Sequence, residues 1–286
     1  MTGPIWLIMH MDYEYEKAMD SVQDARGITI HSTSDMVGMR AAGALAARVL
    51  DAMAEAVVPG ITTNRLNAMC HEMIVGSGAI PAPLNYKGFP KSICTSVNHV
   101  VCHGIPDDRK LTNGDIVNID VTVIVDGWYG DTSRMYFVGD VSTKARRLTQ
   151  VTYDAMMLGI EQVKPGATTG DIGHAIQTYA EGHGYSVVRE YCGHGLGRVF
   201  HAAPNILHFG KPGKGVVLEE GMFFTVEPMI NAGKPDTILN KHDGWTVTTR
   251  DKSLSAQFEH SIAVTSQGFE IFTSSPSGRN VPPFAA

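Results

Sequence analysis

The chain has 286 residues, 43% of them hydrophobic and 18% charged, with 23 basic against 29 acidic side chains and a net charge of −6. That apolar share excludes wholesale disorder, and a chain of this length buries about 75% of its unfolded surface. The acidic balance argues against nucleic acid as a partner, no run of 18 apolar residues offers a membrane span, and four isolated Cys with no C-x-x-C pair read as reduced thiols of a cytoplasmic protein.

Residues 1–27 read as an N-terminal extension without sustained period. Its apolar stretch Pro4 to Met11 lacks a basic lead and runs into Asp12-Tyr13-Glu14-Tyr15-Glu16, which is not a signal-peptide pattern. Ser32-Thr33-Ser34-Asp35 offers N-caps for a first helix ending near Pro59-Gly60, with Met36, Met39, Ala42, Leu45, Ala46, Val49 and Met53 at helical spacing. Thr62-Thr63 opens a second helix that stops at Gly76-Ser77-Gly78. Strands are expected from Ser92 to Val138, helices over 142–163 and 168–182, and strands again to Thr273. The tail, 274–286, is rich in Ser and Pro and is expected to lie loose on the surface.

This order contains a duplication. Pro59-Gly60, Thr62-Thr63, Gly76 and Gly78 align without a gap on Pro165-Gly166, Thr168-Thr169, Gly182 and Gly184. Each half reads helix, helix, strands. One α+β domain follows, spanning 28–273, with helices covering one side of a curved antiparallel sheet and a cleft at the seam.

From Asp115 to Val125 the chain alternates: Val117, Ile119, Val121, Val123 and Val125 on one face, Asn118, Asp120 and Thr122 on the other. Asp126-Gly127 signals a two-residue hairpin. In that register 120 opposes 133 and 122 opposes 131, so Asp120 and Asp131 project from one face as diagonal neighbours. Two carboxylates there repel unless a cation lies between them. Phe223-Phe224-Thr225-Val226-Glu227-Pro228 and Gln257-Phe258-Glu259-His260-Ser261-Ile262 read as strands that bring a second pair, Glu227 and Glu259. Cys192-Gly193-His194-Gly195-Leu196-Gly197 lies before them; alone, His194 reads as a turn histidine. Four carboxylates and one imidazole form an oxygen-rich ligand set suited to two divalent ions about 3.5 Å apart.

These residues resemble the type I methionine aminopeptidases in their short bacterial or organellar form, from about Ile28 to Thr273. The motifs are Tyr86-Lys87-Gly88-Phe89-Pro90-Lys91-Ser92, Val101-Cys102-His103-Gly104-Ile105-Pro106, Asn118-Ile119-Asp120-Val121, Gly130-Asp131-Thr132-Ser133-Arg134, Cys192-Gly193-His194-Gly195, Thr225-Val226-Glu227-Pro228 and Glu259-His260-Ser261. The resemblance implies the pita-bread α+β fold and removal of N-terminal methionine from nascent polypeptides near the ribosome, by a monomer, with a small second residue preferred. It implies one cation (Co²⁺, Mn²⁺ or Fe²⁺) on Asp131, His194, Glu227 and Glu259, and another on Asp120, Asp131 and Glu259. By the same resemblance His103 and His201 are active-site histidines that contact substrate; from the ligand constellation and the apolar pocket wall, Glu227 is the candidate general base. Tyr86, Phe89, Cys94, Phe200 and Trp245 match positions lining the methionine pocket, and Asn98, Val100 and Ser255 match a monovalent-cation site of some relatives. The chain departs at Pro83, where some relatives carry Cys, and at Phe89, often Tyr; both are expected to tune shape only. Two other readings differ in a visible feature. An X-Pro aminopeptidase or prolidase usually carries a sizeable N-terminal domain, and a non-catalytic pita-bread binding protein would have lost metal ligands.

Overall fold

The structure is a computed structural model that describes residues 22–24 and 26–282. The apolar stretch Pro4 to Met11, most of the expected extension, and the end of the tail lie outside the described residues. A two-stranded pair, β1 (Val22–Gln23) with β2 (Thr29–Ile30), leads into helix α1 (Asp35–Ala56). Ser32 and Asp35 start that helix reciprocally: Ser32 N–H donates to Asp35 Oδ2 at 2.9 Å and Asp35 N–H to Ser32 Oγ at 3.4 Å. Helix α2 (Thr63–Gly76) is capped by the Thr62 hydroxyl, which accepts from Arg65 N–H at 3.1 Å. Strands β3 (Ile80–Pro81), β4 (Cys94–Val97), β5 (Val100–Cys102), β6 (Ile116–Val125) and β7 (Trp128–Phe137) complete the first half.

The second half repeats the plan. Helix α3 (Thr143–Ile160) is capped by Ser142, and α4 (Thr169–Gly182) by Thr168, whose N–H donates to Asp171 Oδ2 at 2.7 Å. Strands follow as β8 (Ser186–Val187), β9 (Gly193–Gly195), β10 (Ala202–Ile206), β11 (Phe223–Val226), β12 (Met229–Asn231), β13 (Thr237–Leu239), β14 (Val247–Thr249), β15 (Ser255–Gln257), β16 (His260–Thr265) and β17 (Gly268–Ile271). The duplication is visible in the hydrogen bonds. Gly60 N–H donates to Leu111 O and Gly166 N–H to Leu218 O; Leu111 N–H returns to Ile61 O and Leu218 N–H to Ala167 O; Ala79 N–H reaches Ile74 O and Tyr185 N–H reaches Ala180 O. Gly60, Gly78, Gly166 and Gly184 all sit at positive φ, where the missing Cβ removes the usual clash.

Among the described residues, all strand pairs are antiparallel. One sheet holds β3, β6 and β4 with β7 beside β6; a second runs β10-β9-β11-β16-β17. Helix α1 packs across β6 and β7, burying Met39, Ala46, Val49 and Met53 in the same core as Val117, Ile119 and Val121, while α3 covers β11, β12 and β15. The expected continuous strand through Gln257–Ile262 is broken. Strand β15 pairs with β12, β16 pairs with β11, and between them Glu259 pairs with Ser133 of β7. The chain changes partners at Phe258-Glu259, so the two large sheets are stitched by one bridge instead of a full ladder.

The tail is not loose over its described part. Ser275 Oγ and Ser277 Oγ both donate to Asp51 Oδ2, at 2.9 and 2.8 Å, and Arg279 donates to the Asp51 carbonyl oxygen at 2.9 Å. Asp51 is itself ion-paired with buried Arg134 of β7. Small hydroxyls that read as surface composition are here the ligands of a buried carboxylate.

Candidate metal centre and substrate pocket

The β6–β7 hairpin has the register expected from its turn: Val125 opposes Trp128, Asp120 opposes Ser133 and Thr122 opposes Asp131. Asp126 and Gly127 carry the turn at φ 49° and 79°, as a type I′ turn requires. Asp131 is buried, and its Oδ1 accepts from Thr122 Oγ1 at 2.7 Å.

His194 lies in a strand, not a turn. Strand β9 runs between β10 and β11, and a Cβ at Gly193 or Gly195 would collide with the carbonyl oxygens of Thr225 or Ala203. The glycines permit close backbone approach on both sides of the histidine. His194 Nδ1 lies 3.1 Å from the Gly195 carbonyl oxygen, so Nδ1–H donates there and the Nε2 lone pair is free. Nε2 lies 3.6 Å from Asp131 Oδ2 and 3.5 Å from Glu227 Oε1. Donor atoms of Asp131, His194 and Glu259 all fall within 4.8 Å of one another. Glu227, just past the end of β11, accepts from Thr225 Oγ1 at 2.8 Å and from Gln257 Nε2 at 3.2 Å.

Asp120, Asp131, His194, Glu227 and Glu259, the five expected ligands, line one cavity of about 420 Å³. Burial raises the Asp131 carboxyl to about 7, against the hydrogen bond from Thr122. Burial, and then the charge of Asp131, hold Asp120, Glu227 and Glu259 well above the usual carboxylate range. Burial pushes His194 down to about 4, favouring the neutral ring that a metal needs. Asp120 Oδ1 is buried with no hydrogen-bond partner. A cluster of crowded acids with an orphaned oxygen and an adjacent imidazole lone pair is what divalent cations satisfy, so the residues fit the metals the motifs imply.

The expected pocket residues gather on the same cavity. Phe89 meets Trp245 edge-on at 5.2 Å between ring centroids, and Tyr86 lies 4.9 Å from Phe200. Cys94 stands opposite Asp120 across β4 and β6. His201 Nδ1 is 2.9 Å from the Tyr86 hydroxyl. His103 takes a left-handed backbone (φ 55°) and sits edge-on to Trp245 and Tyr191. Pro83 also lines the wall. Sequence reasoning missed Lys87, Cys102, Tyr191, Met229 and Gln257, which line it too. Gln257 had a signal, since it alternates with Glu259; Tyr191 and Met229 had none. Of the monovalent-cation trio, Asn98 and Ser255 are joined by a bond from Ser255 N–H to Asn98 O at 2.9 Å, and Val100 lies in β5.

Residues 37–266 match metallopeptidase family M24, and the chain belongs to that family. The type I methionine aminopeptidase resemblance holds within it. The methionine aminopeptidase of Rickettsia prowazekii (strain Madrid E) is 70% identical over 257 residues, covering 90% of this chain and 99% of its own length. That of Escherichia coli (strain K12) is 52% identical, covering 86% and 94%. The crystal structure of the Rickettsia prowazekii enzyme matches with a TM-score of 0.86 at 72% identity, over 86% of this chain and 99% of that one. A prolidase from Pyrococcus furiosus, at 21% identity and a TM-score of 0.67, shares the pita-bread fold alone; the match covers 86% of this chain and 65% of the prolidase.

Proposed function

We propose that this metallopeptidase removes the initiator methionine from nascent proteins and peptides whose second residue is small. The observation that carries the reading is the union, in one cavity, of four carboxylates and an imidazole with an aromatic wall. Asp131, His194, Glu227 and Glu259 would hold one divalent cation and Asp120, Asp131 and Glu259 the other, drawn from Co²⁺, Mn²⁺ and Fe²⁺. When bound, such cations supply Lewis acidity and lower the pKa of water in the cleft.

The chain's own groups do the rest. Glu227, ionised when the cations are held, takes a proton from water and delivers it to the leaving amine. Burial depresses His201 to about 3, so its ring is neutral. With the Tyr86 hydroxyl donating to Nδ1, the proton sits on Nε2, which donates to the scissile carbonyl oxygen and the developing oxyanion. His103 holds the substrate near its amino end. Tyr86, Phe89, Cys94, Phe200 and Trp245 enclose the methionine side chain, whose sulfur packs well against aromatic edges. Domain 28–273 carries this chemistry. The enzyme acts as a cytoplasmic monomer near the ribosome, with a monovalent cation beside Asn98, Val100 and Ser255. Among the described residues, no helix is long and apolar enough to cross a membrane. Assay of Glu227→Gln and Asp131→Ala on a Met-Ala-Ser peptide tests the roles: both should lose turnover, and near-normal rates in either would reject the assignment.

A further inference from the structure

Glu227 stands between β11 and β12, one residue past the last ladder pair, Val226 with His260, and just before Pro228, which has no N–H. A backbone N–H without a ladder partner at such a break needs another acceptor. Here it is a side chain: Glu227 N–H donates to Nε2 of His208 at 3.1 Å. His208 follows β10, is fully buried, and lies outside the substrate cavity. An imidazole that accepts at Nε2 carries its proton on Nδ1. That Nδ1 is buried and has no hydrogen-bond partner. A buried polar atom left unpaired calls for an explanation, and an aliphatic side chain would fill the same space without one. The hold on Glu227 is otherwise complete, with Thr225 on Oε1 and Gln257 on Oε2. Thr225 Oγ1 also accepts from His194 N–H at 3.0 Å, so a shift of Glu227 is felt at a second ligand.

We propose that His208 is a positioning residue of the metal centre, its Nε2 anchoring the Glu227 peptide so that the carboxylate meets the cations already oriented. This rests on the metallopeptidase reading above. His208 touches neither substrate nor cation; it acts through Glu227.

The test uses the full chain stripped of metal. Mn²⁺ affinity is measured by titration calorimetry, and kcat and KM on Met-Ala-Ser, for the wild type, His208→Met and His208→Gln. Gln can present an acceptor near the Nε2 position; Met fills the space with a weak acceptor at best. The expected result is Mn²⁺ binding about 10- to 100-fold weaker in His208→Met, with kcat reduced and KM little changed, and recovery in His208→Gln to within about threefold of wild type. Wild-type affinity and kcat in His208→Met would overturn the proposal. So would equal impairment of the Met and Gln variants, which marks a core filler. A lowered melting temperature of metal-free His208→Met with unchanged Mn²⁺ affinity also overturns it. If His208→Met does not fold, His208→Leu is read by the same criteria. A wild type that binds no Mn²⁺ would reject the metallopeptidase reading itself, whereas wild-type binding with unaltered variants rejects only the role of His208.

Discussion

The Glu259 N–H donates to the Ser133 carbonyl oxygen at 3.1 Å, and this bond is where the two halves of the chain meet at the candidate metal centre. It does not stand alone. Thr132 Oγ1 donates to Glu259 O at 2.7 Å, Ser261 Oγ donates to Asp131 O at 2.6 Å, and Asp131 N–H donates back to Ser261 Oγ at 3.1 Å. The two carboxylates assigned to bridge the cations, one from each half, are thus fixed by their backbones.

Ser261→Ala removes both bonds to Asp131 and leaves a buried N–H and C=O without that partner. The expected cost is about 1–3 kcal/mol of stability, together with weaker metal binding. Chemical denaturation and calorimetric metal titration check it; unchanged values for both would contradict the stitching role.

Cations bind ionised carboxylates, and burial has raised Asp131 to about 7, with Asp120, Glu227 and Glu259 also well above their ordinary range. Protons therefore compete with metal as pH falls through about 7, and binding near pH 6 releases protons. Apparent Co²⁺ affinity should be lower at pH 6 than at pH 8, and the binding heat at pH 6 should vary with the ionisation heat of the buffer. In the metal-free protein the same acids favour folding at low pH, and that contribution fades as pH rises through the folded pKa values. Replacing Asp131 by Asn should reduce the fall in its melting temperature over this window.

Trp245 packs against Phe89 and His103 at the pocket wall. Trp245→Ala should lower kcat/KM on Met-Ala-Ser by roughly 10- to 200-fold, the range that small pocket contacts command. Discrimination of methionine from other first residues should narrow. A peptide panel that keeps its wild-type ranking would show that the aromatic wall does not select the side chain.

Asp51 holds buried Arg134 and the tail hydroxyls together. Asp51→Ala removes the carboxylate that pairs with buried Arg134 and accepts from the tail hydroxyls, and should cost about 3–5 kcal/mol. Removal of residues 274–286 should also destabilise, by less, since the ion pair with Arg134 survives. Melting curves of the two variants test both the size and the order.

The hairpin register could be read in advance because a two-residue Asp-Gly turn fixes pairing locally, and with it the faces of Asp120 and Asp131. The gathering of Asp120, Asp131, His194, Glu227 and Glu259 with the aromatic residues on one cavity was legible because the motifs that carry them are dense and chemically specific. What escaped was non-local. Alternation from Gln257 to Ile262 does not reveal that the chain leaves one sheet for another at Glu259. The glycines flanking His194 look like turn residues until backbones are known to press on both sides. Ser275 and Ser277 read as tail composition because their partner, Asp51, lies more than 200 residues away on α1. His208 showed nothing, since a buried acceptor for one peptide N–H leaves no pattern in sequence.

The most direct test of the central claim is methionine release from Met-Ala-Ser by the purified protein, with its metal content measured before and after chelation. Activity should vanish in the metal-free protein and return on adding Co²⁺, Mn²⁺ or Fe²⁺, saturating by two equivalents per chain. Undiminished release after complete chelation, or no release with two cations bound, would contradict the account.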